Sequence, residues 1–195
     1  MNNPLLKESG LPYGAPQFDE IRNEHYLPAF REGIRVAKSE IDSIVSNPEA
    51  PSFGNTIEAL EYSGKLLGRV SDIFYNILEA DADDELQQIA EEVSPLMTEY
   101  SMYVSLNQEL FRRVKTVYDS RDSLSLEADQ RRLLEETYRS FARQGANLSD
   151  EDKKIYSGYV EELSILSLRF GKNVLAATNA YILHITDEQQ LAGLP

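Results

Sequence analysis

The chain has 195 residues, 42 % hydrophobic and 27 % charged, with a formal net charge of −14; that is an ordinary globular composition with enough chain for a real core. Its acidity keeps it soluble and repels phosphate backbones and anionic lipid heads, so neither nucleic acid nor a membrane surface is an expected partner. It has no cysteine, which excludes disulfides, thiolate catalysis, cysteine-ligated zinc and iron–sulfur sites.

From the N-terminus, Pro4, Gly10, Pro12, Gly14 and Pro16 are too closely spaced for a regular helix, so residues 1–22 read as an extended arm. Residues 23–195 read as one helical domain. Its first helix starts between Glu24 and Pro28, because proline suits a first turn. Leu27, Phe30, Ile34, Ile41 and Ile44 mark a buried face, and Asn47-Pro48 ends the helix.

A second helix is expected to open on Asn55 with Glu58 three residues later, in the manner of a capping box. Its stripe is Ile57, Leu60, Leu67, Val70, Phe74 and Ile77. Gly64, Gly68 and Ser71 on or beside it would permit close approach of another backbone. A third helix follows the acidic cap Asp83-Asp84 and carries Leu86, Ile89, Val93, Leu96, Tyr100 and Tyr103, with Pro95 expected to kink or split it.

A short fourth helix holds Leu110, Phe111, Val114, Val117 and Tyr118. Ser125 is the expected cap of a fifth, carrying Leu133, Leu134, Tyr138 and Phe141 and stopped by Gly145. Ser149, with Asp152 three positions on, starts a sixth. Its stripe is Ile155, Tyr159, Leu163, Leu166, Phe170, Val174, Ala177 and Tyr181. About 35 residues at 1.5 Å each make a rod of roughly 50 Å, longer than the roughly 40 Å diameter of a compact domain of this size. Such a rod should protrude or pack on something else, and a contiguous apolar patch is expected where a further body of protein would sit. Residues 181–185 (Tyr-Ile-Leu-His-Ile) fit a helix end or a short strand.

Catalytic patterns are missing. A helical zinc peptidase needs H-E-x-x-H, two histidines at i and i+4 facing one metal with a glutamate to activate its water. Only His25 and His184 are present, far apart, and neither begins that motif. Asp81, Asp83, Glu85 and Glu92 match positions one, three, five and twelve of an EF-hand, but Leu86 stands where the loop needs glycine; they read as acids at a helix N-terminus. There is no phosphate loop and no G-x-S-x-G elbow. The eleven tyrosines mostly follow apolar stripes and read as core, with a subset free to line a groove. Glu91-Glu92 and Glu135-Glu136 read as solvated faces, and Arg112-Arg113 and Arg131-Arg132 are too isolated to make a nucleic-acid surface. No residue is assigned a catalytic, cofactor-binding or metal-binding role.

Several segments carry a resemblance. They are LPYGAPQFDEIRNEHYLPAF from Leu11 to Phe30, NTIEALEYSGKLLGRVSDIFYN from Asn55 to Asn76, DDELQQI from Asp83 to Ile89, SLNQELFRRVKTVYDSRDSL from Ser105 to Leu124, and DEQQLAGLP from Asp187 to Pro195. In their order and spacing they resemble the N-terminal region of Dcp-type peptidyl-dipeptidases, in the thimet-oligopeptidase group of zinc metallopeptidases. The resemblance implies an all-α, elongated multi-helix bundle forming the N-terminal part of a larger two-lobed enzyme. It implies zinc held by an HEFGH motif downstream of this chain, whose glutamate is the general base, and none in this chain. It also implies that these helices wall a channel admitting short unstructured peptides, from whose C-termini dipeptides are released, and that their other partner is the chain's own C-terminal catalytic domain. The oligopeptidase A type, an endopeptidase of the same group, is the alternative, and a free-standing helical protein-binding scaffold is a third reading. Absence of cysteine suits the cytoplasm, with the periplasm open if a leader was trimmed.

Overall fold

Helix α1 (Tyr26–Val45) forms with Pro28 in its first turn, where the missing N–H has no intrahelical partner to lose. In this computed structural model, which describes residues 3–193, α1 is the spine of the protein. Its apolar side feeds two cores. Tyr26, Ala29, Phe30 and Ala37 pack with Leu67, Val70, Ile73 and Phe74 of α3 (Lys65–Ala80) and Leu86, Ala90 and Val93 of α4 (Asp84–Ser105). Further along, Ile41 and Ile44 join Leu110, Phe111, Val114 and Val117 of α5 (Gln108–Asp119) and Leu134 and Phe141 of α6 (Ala128–Arg143). Phe30 and Phe74 meet edge to face at 5.2 Å, the geometry that aromatic quadrupoles favour.

The segment before α1 turns three times, at Pro4–Leu6, Pro12–Gly14 and Asn23–His25, each a single 3-10 turn, where a plain extended course was expected. Pro4 and Pro12 occupy the first position of two of these turns, for which their fixed φ is preorganised. Leu5 is buried in the first core. The Asn3 amide donates to the His25 carbonyl at 2.8 Å, and Arg69 donates to the Leu5 carbonyl at 3.1 Å.

The expected second helix is broken in two. A π-turn (Phe53–Glu58) runs into the single turn α2 (Ala59–Glu61), and the chain then bends at Gly64 (φ +71°) before α3. Only glycine takes that φ without strain, and the Gly64 N–H donates to Glu40 at 2.6 Å. The cap is Ser52, not Asn55: the Ser52 hydroxyl accepts from the Asn55 N–H, and the Asn55 side chain accepts from the Ser52 N–H. Close helix approach falls on a glycine the stripe did not flag. A Cβ on Gly33 would lie 3.1 Å from the Leu67 backbone, whereas one on Gly68 would meet nothing within 4 Å.

Asp83 caps α4 as expected, accepting from the Leu86 N–H at 2.7 Å. Pro95 does not split it; α4 is continuous through the proline, and Val93 and Thr98, buried on either side, hold it against its neighbours. The cap of α6 is Glu127, in a reciprocal box with Gln130, rather than Ser125. Gly145 follows α6 at φ +89°, and Ser149 caps α7 (Asp150–Ala180). Residues 181–187 are neither helix nor strand. The fold is all-α, with no strand among the described residues.

Candidate functional site

Two features qualify as a working surface: a groove bounded by α2, α4 and α6, and the outer face of α7. The groove has a volume of about 500 Å³, within the range of ligand-binding clefts. Ile41, Leu60, Val104 and Phe141 supply apolar surface, and Ser101, Thr137 and Glu61 add polar groups. Tyr100 also lines it, with its hydroxyl pushed up in pKa by burial and by the nearby Glu40 carboxylate. Two of its polar groups are already engaged. The Ser63 hydroxyl donates to the Leu60 carbonyl at 2.7 Å, and Glu136 is held by Arg132 and Arg139 at 2.6 Å each. No histidine lines it.

Elsewhere, α1 and α4 are tied by a polar cluster. Lys38 pairs with Glu99 at 2.7 Å and lies over the Tyr103 ring, 5.1 Å from its centre. The Tyr103 hydroxyl donates to Asp42. That bond, then burial and the carboxylate's charge, push the Tyr103 pKa up to about 12.

The α7 stripe is exposed. Tyr159 is 68 %, Leu163 63 % and Phe170 70 % open to solvent, and Ile155, Leu166 and Val174 are exposed beside them. Only another side of the helix, with Lys153, Val160, Ser164 and Leu168 at least partly buried, turns inward, and Leu168 packs on the first core. The exposed stripe lies on a helix of 31 residues, about 46 Å long, where a rod of roughly 50 Å was expected.

The residues weighed for metal chemistry are not brought together. His25 accepts from the Arg22 N–H through Nδ1 at 3.0 Å, while His184 is exposed in residues 181–187. Asp83 and Glu85 accept from the Asn23 amide at 3.1 and 2.9 Å, which ties the turn before α1 to the start of α4. Among the described residues no group of three or more His, Asp or Glu side chains is placed to hold a metal. The donors present do not fit zinc, and no reaction step can be derived through one.

Sequence reasoning missed Arg113. It is buried, and donates to the carbonyls of Asn47 and Glu49 at 3.0 and 3.4 Å and to the Asn55 side chain at 3.2 Å. It therefore fastens the 46–55 loop to α5. Its position three after Leu110, on the buried stripe of α5, was the available signal. Arg112, its neighbour, is an exposed partner of Glu109. Tyr118 and Tyr138 stack at 3.9 Å, which fits the reading of tyrosines as helix contacts.

This helical chain has its kin among peptidases. It is 42 % identical over 98 % of its length to a dipeptidyl carboxypeptidase of Escherichia coli, and 28 % identical over its full length to an oligopeptidase A of Salmonella typhimurium. A thimet-like oligopeptidase of Dictyostelium discoideum is 24 % identical over 88 % of it. No family model matches the chain. Its kinship with dipeptidyl carboxypeptidase, and more distantly with oligopeptidase A, is thereby shown, and the resemblance read from the sequence holds. The chain spans 28 % of the length of these first two relatives, consistent with an N-terminal region of such a protein. No described helix is long and apolar enough to cross a membrane.

Proposed function

We propose that this chain is the N-terminal, channel-wall part of a zinc peptidyl-dipeptidase that removes dipeptides from the C-termini of short, unstructured peptides. The carrying observation is the 42 % identity over 98 % of the chain to a protein named dipeptidyl carboxypeptidase. On this reading the zinc, its histidine ligands and the general base belong to the remaining length of the polypeptide, and this chain supplies restriction of access and binding surface. The groove, with apolar and hydroxyl-bearing walls, suits an extended peptide. Residues 1–22 serve as an arm fastened to the helical domain of residues 23–195, a division supported by the burial of Leu5 and its bond from Arg69. A cytoplasmic setting accords with the lack of cysteine.

The experiment is to express the whole natural polypeptide and incubate it with a short peptide blocked at its N-terminus, with and without a chelator. Release of C-terminal dipeptides, abolished by the chelator and restored by zinc, is the expected result. Cleavage only at internal bonds favours the endopeptidase reading, which the 28 % identity to oligopeptidase A keeps in view. A polypeptide that binds peptides without cutting them is the outcome for a binding scaffold.

A further inference from the structure

We propose that the groove between α2, α4 and α6 is a subsite for an extended, apolar peptide segment that carries a positive charge, with its main chain along Ser101 and Ser105 of α4 and its cation at Glu61. The inference takes from the proposed reading only that the ligand is a peptide. Three observations carry it.

The first is unspent hydrogen-bonding capacity. Ser105 is only 7 % exposed, yet it lines the groove, and its hydroxyl meets no partner among the described residues. A buried hydroxyl without a partner is costly, and this one opens to whatever enters the groove. Tyr100, Ser101 and Thr137 line the same groove, and their hydroxyls make no hydrogen bond among the described residues.

The second is spacing. Ser101 and Ser105 stand four residues apart on α4, hence about 6 Å along its axis. In an extended chain, groups on one side recur every two residues, at about 6.7 Å. A peptide lying along α4 therefore meets both hydroxyls with successive same-side groups of its main chain. A hydroxyl donates to a peptide carbonyl or accepts from a peptide N–H with equal ease. Leu60, Val104 and Phe141 supply the apolar surface for its side chains.

The third is charge. Among the described residues no lysine or arginine lines the groove. Its two carboxylates differ. Glu136 is held by Arg132 and Arg139 at 2.6 Å each, whereas Glu61 has no partner among the described residues. Lys65, one turn beyond Glu61, lies instead over the Tyr62 ring, 4.4 Å from its centre. The lining charge left without a counter-ion is therefore negative, in a protein of net charge −14. It complements a lysine or arginine side chain or a free peptide N-terminus, and repels an acidic or phosphorylated peptide.

The test uses the full natural polypeptide. Octapeptides of one apolar sequence carry lysine, norleucine or glutamate at the third position, each with a free or an acetylated N-terminus. Binding is measured by titration calorimetry with a chelator present, so that cleavage does not intervene. If the cation is a side chain, the acetylated lysine peptide should bind about fivefold more tightly than the acetylated norleucine peptide. If it is the N-terminus, acetylation of the norleucine peptide should weaken it by the same factor. Either preference should vanish in Glu61→Gln, a change at an exposed position that leaves the fold intact. Ser105→Ala should weaken every peptide by about fivefold. Binding indifferent to both cations, a preference for glutamate, a preference that survives Glu61→Gln, or undiminished binding by Ser105→Ala overturns the inference. Dipeptide release from the same peptides, measured without the chelator, separates the two ideas. Release without a cation preference sinks this inference alone, and a Glu61-dependent preference without release sinks the enzymatic reading alone.

Discussion

Phe30 on α1 and Phe170 on α7 both stand on apolar stripes at helical spacing, yet Phe30 has no exposed surface and Phe170 is 70 % exposed. The two stripes differ in what faces them. Phe30 is enclosed by Tyr26, Phe74 and Tyr75 from α1 and α3, while Phe170 looks outward from a helix whose other side carries its packing. A stripe therefore specifies that a face will be buried by something, and not by what. In α1 the partner lies within the chain. In α7 the same physical demand is unmet among the described residues.

The sharpest way to break this comparison is truncation of the two phenylalanines in residues 1–195. Phe30→Ala should lower unfolding free energy by about 3–5 kcal/mol, from lost transfer energy and a residual cavity. Phe170→Ala should change it by no more than about 0.5 kcal/mol. Urea denaturation reads both, and equal losses would mean that α7 is packed after all.

Next in size is the contrast of neighbouring arginines. Arg113→Ala removes three charge-assisted bonds from the 46–55 loop and should cost about 2–3 kcal/mol. Arg112→Ala removes one exposed pair worth about 1 kcal/mol or less. Proteolysis within 46–55 should accelerate in the first variant and not in the second.

Two glycines sharpen the comparison at the backbone. Gly33→Ala should destabilise by about 1 kcal/mol, because the Leu67 backbone cannot yield without parting α1 from α3. Gly68→Ala, facing open space in the first turn of α3, should stabilise by about 0.5 kcal/mol. Thermal midpoints moving in opposite directions are the expected result.

The smallest effect is alkaline. Tyr103 titrates near 10 when unfolded and at about 12 when folded, so folding favours its neutral form. Its contribution is complete below pH about 10 and is lost as pH rises towards 12. Tyr26, Tyr75 and Tyr100, also raised by burial, act in the same direction. Stability measured between pH 9 and 12 should fall, and Tyr103→Phe should make the fall shallower.

Local chemistry was legible wherever one residue type had one good use. Asp83, Ser149 and Gly145 were read correctly as caps and stop, since a side-chain oxygen or a left-handed backbone is needed at those points whatever surrounds them. The reading failed where two neighbours competed. Ser52 took the cap from Asn55 and Glu127 took it from Ser125, because the position of the first turn depends on how the preceding loop is held. In the case of Asn55, that loop is held by Arg113. Pro95 was expected to kink or split α4, and the helix runs continuously through it. The groove was not legible, since its walls come from segments separated by tens of residues.

Sequence by itself determined that this chain is helical and acidic, because periodicity and charge are local properties. It also determined the kinship, through the order of segments along the chain. Tertiary structure alone decided which stripes found partners, that Gly33 rather than Gly68 lets two backbones meet, and that Arg113 is a buried clasp. Each of these depends on which surfaces the chain brings face to face, and burial is a property of pairs of surfaces, not of one strand of sequence.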